Sequence, residues 1–258
     1  KEKRPPPRWN CGRPSTTRVG HNPIKRHPDG LVPRIRGVAE CRPTAGEAES
    51  GWQAVMDMTV EAAKLLEPAF EKYGGRNGRI SVQTDPRLHR DKAGLVAQAL
   101  EFDALARNII VKIPATKTGI EAMEEATYRG VSVNATVSFT VSQAVAAGEA
   151  IEQGLVRREA EGLDVSAMGP VVTIMGGRLD DWLKKVVARD AITIDPGYLE
   201  WAGVAALKHA YHVFQERGFR SRILSAAFRN HMQWSELIGG DLVVSPPFSW
   251  QQKFNSSG

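Results

Sequence analysis

Residues 107–116 read Arg-Asn-Ile-Ile-Val-Lys-Ile-Pro-Ala-Thr. Four β-branched residues, Ile109, Ile110, Val111 and Ile113, fall between Asn108 and Ile113. That is the make-up of a buried strand of a parallel sheet. Lys112 interrupts the run. An ammonium in apolar surroundings either finds a partner or gives up its proton. A lysine with a depressed pKa is a nucleophilic amine, and such amines form Schiff bases with carbonyl compounds. The plainer alternative is a strand-end lysine whose head reaches water. Pro114 is expected to end the pairing, and Thr116 stands where a helix cap would. Lys112 then lies near the carboxyl end of its strand, the end at which barrel enzymes keep their chemistry.

The same kind of strand recurs on both sides of this one. Strands are expected over residues 79–84, 131–136, 170–175, 221–227 and 241–245, each bounded by Gly, Pro or Asp. Apolar residues at three- and four-residue steps predict helices over 52–73, 93–106, 118–128, 141–155, 179–188 and 231–238, and a long helix opening at Asp195-Pro-Gly and running to Glu216. Residues 157–164 read as a charged loop. Six strands joined in turn by helices make a parallel sheet of right-handed βαβ units. No GxGxxG or GxxxxGK[ST] follows any strand, which weighs against a nucleotide-binding open sheet. Polar residues gather instead at the carboxyl ends of the strands, as in a barrel.

The chain of 258 residues is long enough for one domain with a substantial core. It has no apolar run long enough for a membrane span and no secretory h-region at its start. Its two cysteines, Cys11 and Cys41, give neither a disulfide framework nor a metal spacing. The expectation is a soluble, cytoplasmic protein with no metal and no cofactor. The formal charge of +5 is unevenly spread. The first 50 residues hold 11 Lys+Arg and 5 Asp+Glu, the remainder 23 and 24. The folded part is therefore nearly neutral, and a nucleic-acid partner has no compositional support. Residues 1–50 also hold 8 of the 15 prolines and show no helix or strand period. They read as a basic Pro/Arg-rich tail, disordered or outside the native reading frame, ahead of a domain spanning 51–258.

Strand alternation selects the residues that share a face. Gln83 goes with Ser81, Lys112 with Ile110, Asn134 and Thr136 with Ser132, and Thr173 with Met175. If those faces point into one barrel, Gln83, Lys112, Asn134, Thr136 and Thr173 line one pocket. Taken singly, Asn and Thr near strand ends also serve as turn and cap residues. Arg178 and Arg229 each stand just past a strand. Surface ion pairing is the ordinary role there. Two guanidinium forks at a barrel mouth also suit an anionic substrate.

Val111-Lys-Ile-Pro-Ala-Thr116, Val133-Asn-Ala-Thr136, Gly177-Arg-Leu-Asp180 and Ala226-Ala-Phe-Arg-Asn230 resemble the successive strand-end motifs of the transaldolase family. The resemblance runs in order from about Gly51 to Phe254. It implies a (β/α)8 barrel of TIM type and aldol chemistry on a lysine Schiff base. It implies transfer of a dihydroxyacetone unit between sugar phosphates, as in pentose-phosphate-type carbohydrate metabolism. Within it, Lys112 is the Schiff-base lysine. Thr136 positions a proton-shuttling water, Asn134 lies near substrate hydroxyls, and Thr173, Arg178 and Arg229 hold the phosphate or a similar anion. Self-association into a homo-oligomer is compatible with such a chain, and no membrane partner is implied.

Three departures set alternatives beside that reading. Gln83 stands where the family has a glutamate, a resemblance to the fructose-6-phosphate aldolase branch. Met175 stands where an aromatic is usual. Strands one and two, with their aspartate and Thr-Asn-Pro motif, are missing or unrecognisable. Ser15-Thr-Thr-Arg-Val-Gly-His-Asn-Pro23 has the residue types without a strand, and Asp29 falls in an expected Pro-Asp-Gly turn. The alternatives are a fructose-6-phosphate aldolase-like or sulfosugar-directed aldol cleavage, or an inactive barrel remnant. A fragment with an aberrant amino terminus is expected, with two open sheet edges and marginal stability.

Overall fold

The computed structural model describes residues 28–41 and 44–257. Six strands carry the fold: β1 Ile80–Gln83, β2 Ile109–Pro114, β3 Val133–Thr136, β4 Val171–Ile174, β5 Arg222–Ala226 and β6 Val243–Ser245. Every neighbouring pair is parallel, and the strands stand in chain order, β1 to β6. An open doubly wound sheet reverses its strand order at a switch point; this one does not, and it is wound as a barrel is. Helices α1 Pro28–Cys41 and α2 Glu47–Lys72 precede the sheet. Between and after the strands come α3 Lys92–Asp103, α4 Lys117–Tyr128, α5 Val141–Ala160, α6 Gly176–Arg189, α7 Ala202–Glu216, α8 Met232–Ser235 and α9 Phe248–Asn255.

Alternation along the strands divides the apolar side chains into two groups. Ile80, Val82, Ile109, Val111, Ile113, Val133, Ala135, Val172, Ile174 and Ile223 point to the helices and join one continuous core. Leu95, Phe102, Met123, Ile151, Leu207 and Phe214 meet them there from the helices. Ile110, Val171 and Leu224 form a separate cluster with Ala226 and Val243 on the opposite face. That second face is the inside of the curl. The register runs Gln83–Lys112–Asn134–Val171–Arg222 across five strands, so these residues share it.

The amino-terminal end of the curl is tied shut by arginines. Arg76, just before β1, pairs with Asp241, just before β6. Arg222 donates to Asn77 Oδ1 at 3.2 Å and to the Arg76 carbonyl. Arg79 donates to the carbonyls of Gly75 (2.8 Å), Ile109 (3.2 Å) and Ala167, and lies over the Phe70 ring. Burial pushes its pKa down to about 10. The outer edges of β1 and β6 are unpaired among the described residues, yet the segments leading into them touch at this end. The result is a curled partial barrel of six strands.

Several elements differ from the sequence reading. Residues 28–41 are helical where no element is expected. Val32, Ile35 and Val38 recur at three-residue steps there, a pattern hidden by the two prolines. Pro28 occupies the first helical position, where its missing N–H costs nothing, and Pro33 lies in the second turn. Asp29 is thus in a helix and not in a free turn. The next helix starts at Glu47, with Glu47 and Glu49 favourably placed against the amino-terminal dipole. Pro114 closes β2 as expected, and as its last residue it is itself paired, opposite Thr136. α5 absorbs residues 157–160, because Arg157 reaches back to Glu124 at 2.6 Å and Glu159 takes Arg220. The helix expected from Asp195 is a 3-10 turn, Pro196–Glu200, followed by α7. The stretch 231–238 holds only the short α8, and α9 was not anticipated after Pro246-Pro247. Trp250 and Phe254 of α9 meet Trp234 edge to face, with ring centroids 5.8 and 5.3 Å apart. Cys11 and residues 15–23 lie outside the described residues.

The β2–α4 turn sets the height of Lys112, and Gly119 makes it close. Thr116 caps α4 by accepting from the Gly119 amide at 3.0 Å, as expected. A Cβ on Gly119 would lie 1.8 Å from the Pro114 carbonyl oxygen. Gly51, inside α2, has open space around it. Gly119→Ala is therefore expected to lose about 2 kcal/mol or more, whereas Gly51→Ala gains up to ~1 kcal/mol. Urea unfolding of both variants checks this; equal stabilities would contradict the packing described.

Candidate active site

Lys112 is the fourth residue of β2 and stands on the inner face, flanked in register by Gln83 and Asn134. Its strand neighbours Val111 and Ile113 face the helices and are fully buried. Burial pushes the Lys112 amine down to about 8. Among the described residues no carboxylate pairs with it. With no carboxylate among them to offset the charge, burial raises the neutral fraction above that of an ordinary lysine.

A polar belt crosses the inner face beside it. Thr173 donates to Asn134 Oδ1 at 2.7 Å, and Asn134 Nδ2 reaches Ser81 Oγ at 3.4 Å. Asn134 and Thr173 are each 2% exposed, so these bonds replace water and do not compete with it. Gln83 donates from Nε2 to the carbonyls of Lys112 (3.2 Å) and Thr84 (3.3 Å). Its Oε1 has no partner among the described residues and is free to accept. Thr136 is 4% exposed, and its hydroxyl likewise has no partner among the described residues. Five of the sequence-selected residues therefore share one face: Gln83, Lys112, Asn134, Thr136 and Thr173.

The other two, Arg178 and Arg229, sit at the carboxyl-terminal rim. α6 opens with Gly176 and Gly177, and a Cβ on Gly177 would lie 1.9 Å from the Ala227 carbonyl oxygen. The glycine lets the loop after β5 rest directly on the start of α6. Arg178 and Arg229 both lie within electrostatic reach of Asp181 there, and they are not two equally free cations. Arg229 grips Asp181 with Nε at 3.0 Å and Nη2 at 2.7 Å. That guanidinium holds the Asp181 carboxyl below its usual range. The Arg178 side chain is exposed and makes no hydrogen bond or ion pair among the described residues.

Some features of the rim escape sequence reading. Val137, directly after Thr136, has φ 53°, and Ala227, directly after β5, has φ 61°. Side chains seldom adopt this region, and a β-branched one costs more. Neither position is a glycine, so nothing in the sequence marks them. Asp181 and Gln233 were also missed, and Asp180 stood in the quoted Gly177–Asp180 motif without a role; the consecutive acids after Arg178 were the available signal. An apolar cleft lies elsewhere, between α8 and α9, lined by Trp234, Leu242, Trp250 and Phe254. It holds no titratable side chain and offers packing without acid–base chemistry. Among the described residues, no three His, Cys, Asp or Glu side chains gather as metal ligands. No helix among them is long and apolar enough to cross a membrane.

The Lys112 pKa has a measurable consequence for stability. An ordinary lysine titrates near 10.5 and this one near 8. Between those values the unfolded chain binds more protons, so stability rises with pH across that window. Below it both states are charged, and the fold bears the full cost of the buried ammonium. Lys112→Met is expected to be more stable than the parent by about 3 kcal/mol near pH 7, an advantage that disappears by about pH 10.5. Urea unfolding at both pH values checks this. A difference that does not vary with pH would contradict it.

Comparison with known proteins agrees with this geometry. The profile of the Transaldolase/Fructose-6-phosphate aldolase family matches residues 41–258. The chain is 35% identical over 158 residues to transaldolase 1 of Streptomyces avermitilis, which is 60% of this chain and 42% of that protein. It is 32% identical over 160 residues to transaldolase 2 of Streptomyces coelicolor, again 60% and 42%. It is 31% identical over 182 residues to a transaldolase of Thiobacillus denitrificans, 69% of this chain and 51% of that one. The matched stretch thus spans about half of these relatives or less. On its family match and its fold, the chain belongs to the transaldolase/fructose-6-phosphate aldolase family.

Proposed function

We propose that this chain transfers a dihydroxyacetone unit between sugar phosphates through a Schiff base on Lys112. The observation that carries the reading is the inward, buried Lys112 amine, unpaired and pushed down to about 8, beside Gln83, Asn134, Thr136 and Thr173. The catalytic unit is assigned to residues 51–258, with the basic stretch 1–50 outside the chemistry.

In this reading the neutral Lys112 amine attacks the C2 carbonyl carbon of a ketose phosphate. The carbinolamine loses water and becomes an iminium. The C3–C4 bond then breaks. Its electron pair moves into the iminium to give an enamine, and the C4 hydroxyl proton leaves as the aldehyde forms. Thr136 and the free Oε1 of Gln83 hold the water that accepts this proton and passes it to bulk solvent; neither side chain is itself a base. The enamine adds to the carbonyl of an acceptor aldehyde, and water releases the product from Lys112. Asn134, fixed by Thr173, meets the sugar hydroxyls. Arg178 and Arg229 receive the phosphate, with Arg229 shared with or released by Asp181. Gln83 in place of an acid also suits a second reading, an aldolase that releases free dihydroxyacetone.

Incubation with fructose 6-phosphate followed by borohydride reduction tests the assignment. The expected result is one reduced adduct, located by peptide mass spectrometry at Lys112 and absent in Lys112→Ala. Adding an acceptor aldehyde before reduction separates the readings: transfer empties the adduct into a new ketose, whereas an aldolase accumulates free dihydroxyacetone without acceptor. No adduct with any ketose, or an adduct on another lysine, overturns the proposal in favour of an inactive barrel.

A further inference from the structure

Arg229 is held at both ends by consecutive residues of α6. Asp181 takes its guanidinium at the surface. Its backbone amide is tied to Asp180 through one intervening side chain. Arg229 N donates to Gln233 Oε1 at 2.5 Å, and Gln233 Nε2 donates to Asp180 Oδ2 at 2.5 Å. Asp180 Oδ1 accepts from the Gly203 amide at 2.7 Å, at the start of α7. The Gln233 carbonyl accepts from Ser225 Oγ of β5 at 2.8 Å. Asp180 and Gln233 are both 0% exposed.

Such a pair is a poor way to gain stability. Apolar side chains of similar volume fill a buried site at least as favourably, because the carboxylate must be stripped of water. What the pair does supply is position. Three elements meet in it: α6, which carries Arg178; the start of α7; and the loop between β5 and α8, which carries Arg229. The amide of Gln233 faces two ways and can satisfy Asp180 and Arg229 together in one orientation only, with Nε2 toward the acid and Oε1 toward the amide. The loop is thereby fixed in height against the first turn of α6.

We infer that Asp180 and Gln233 are positioning residues for the anion site, setting the backbone of Arg229 against that of Arg178 so that both guanidinium groups meet one phosphate. The inference rests on the anion role given to these arginines under the proposed function. It does not depend on the chemistry of Lys112.

The test uses the full chain and two ligands. Inorganic phosphate, followed by titration calorimetry, reports the anion site. Dihydroxyacetone, which has no phosphate, reports the lysine by borohydride trapping. Asp180→Asn and Gln233→Glu each break the pattern of donors and acceptors. Each is expected to weaken phosphate binding about tenfold or more, with dihydroxyacetone trapping unchanged. The double exchange Asp180→Asn/Gln233→Glu restores all three hydrogen bonds: the one between residues 180 and 233 reverses direction, and the Gly203 and Arg229 amides still donate. It is expected to bring phosphate affinity back to within about threefold of the parent. A second double variant, Asp180→Asn/Gln233→Met, keeps the Gly203 bond and carries no buried charge. It is expected to fold and still bind phosphate about tenfold more weakly, so the test stands even if a single variant does not fold.

Parent-like phosphate affinity in Asp180→Asn/Gln233→Met overturns the inference. So does an exchanged pair that folds without recovering phosphate binding, or a loss of dihydroxyacetone trapping that parallels the loss of phosphate. If the parent traps no ketone but the variants still rank as expected with phosphate, the Schiff-base reading fails and this inference holds. If the parent binds no phosphate, the inference fails while trapping at Lys112 still decides the other.

Discussion

The desolvation of one ammonium group organises this molecule. A strand turns alternate residues to opposite faces, so β2 can send Ile109, Val111 and Ile113 to the helices only by sending Lys112 inward. Curling the sheet in chain order closes the inner face around that side chain. The register then brings Gln83 and Asn134 alongside it and no acid among the described residues. The group answers by losing affinity for its proton. The helix-facing half of each strand provides the stability, and the inner half bears the cost.

The two ends of the curl use arginine in opposite ways. At the amino-terminal end Arg76, Arg79 and Arg222 are consumed by Asp241 and main-chain carbonyls, and they hold the strands in place. At the carboxyl-terminal end Arg178 is exposed, and Arg229 holds the Asp181 carboxylate at its surface. Under the proposed function, the carboxyl-terminal end is the one that receives the anion, as the active-site end of a barrel does. The strained backbones of Val137 and Ala227 lie at that same end. Strain persists only where the surroundings over-determine it.

The strands were legible because their apolar alternation is strong. The inner-face residues followed from period two alone: Ser81, Gln83, Lys112, Asn134, Thr136 and Thr173 needed no tertiary information. Arg178 and Arg229 were legible as residues just past strands, but Asp181 was not legible as the partner of Arg229, since that contact joins positions 48 residues apart. The Asp180–Gln233 link was hidden for the same reason, over 53 residues. Helix ends failed where a side chain from a distant element decides them, as Glu124 does for Arg157. The helix Pro28–Cys41 was obscured by its prolines: Pro28 suits the first helical position, whereas Pro33 lies inside the helix and argues against one.

The central claim is that the fold keeps the Lys112 amine buried and unpaired. A direct titration tests it. Lysine labelled at the side-chain methylene next to nitrogen gives one NMR signal per residue across the alkaline range. The account predicts one signal with a midpoint near 8 that is lost in Lys112→Met. A Lys112 signal titrating with the others, near 10.4 on the usual scale or about that, would place the amine in water and contradict the account.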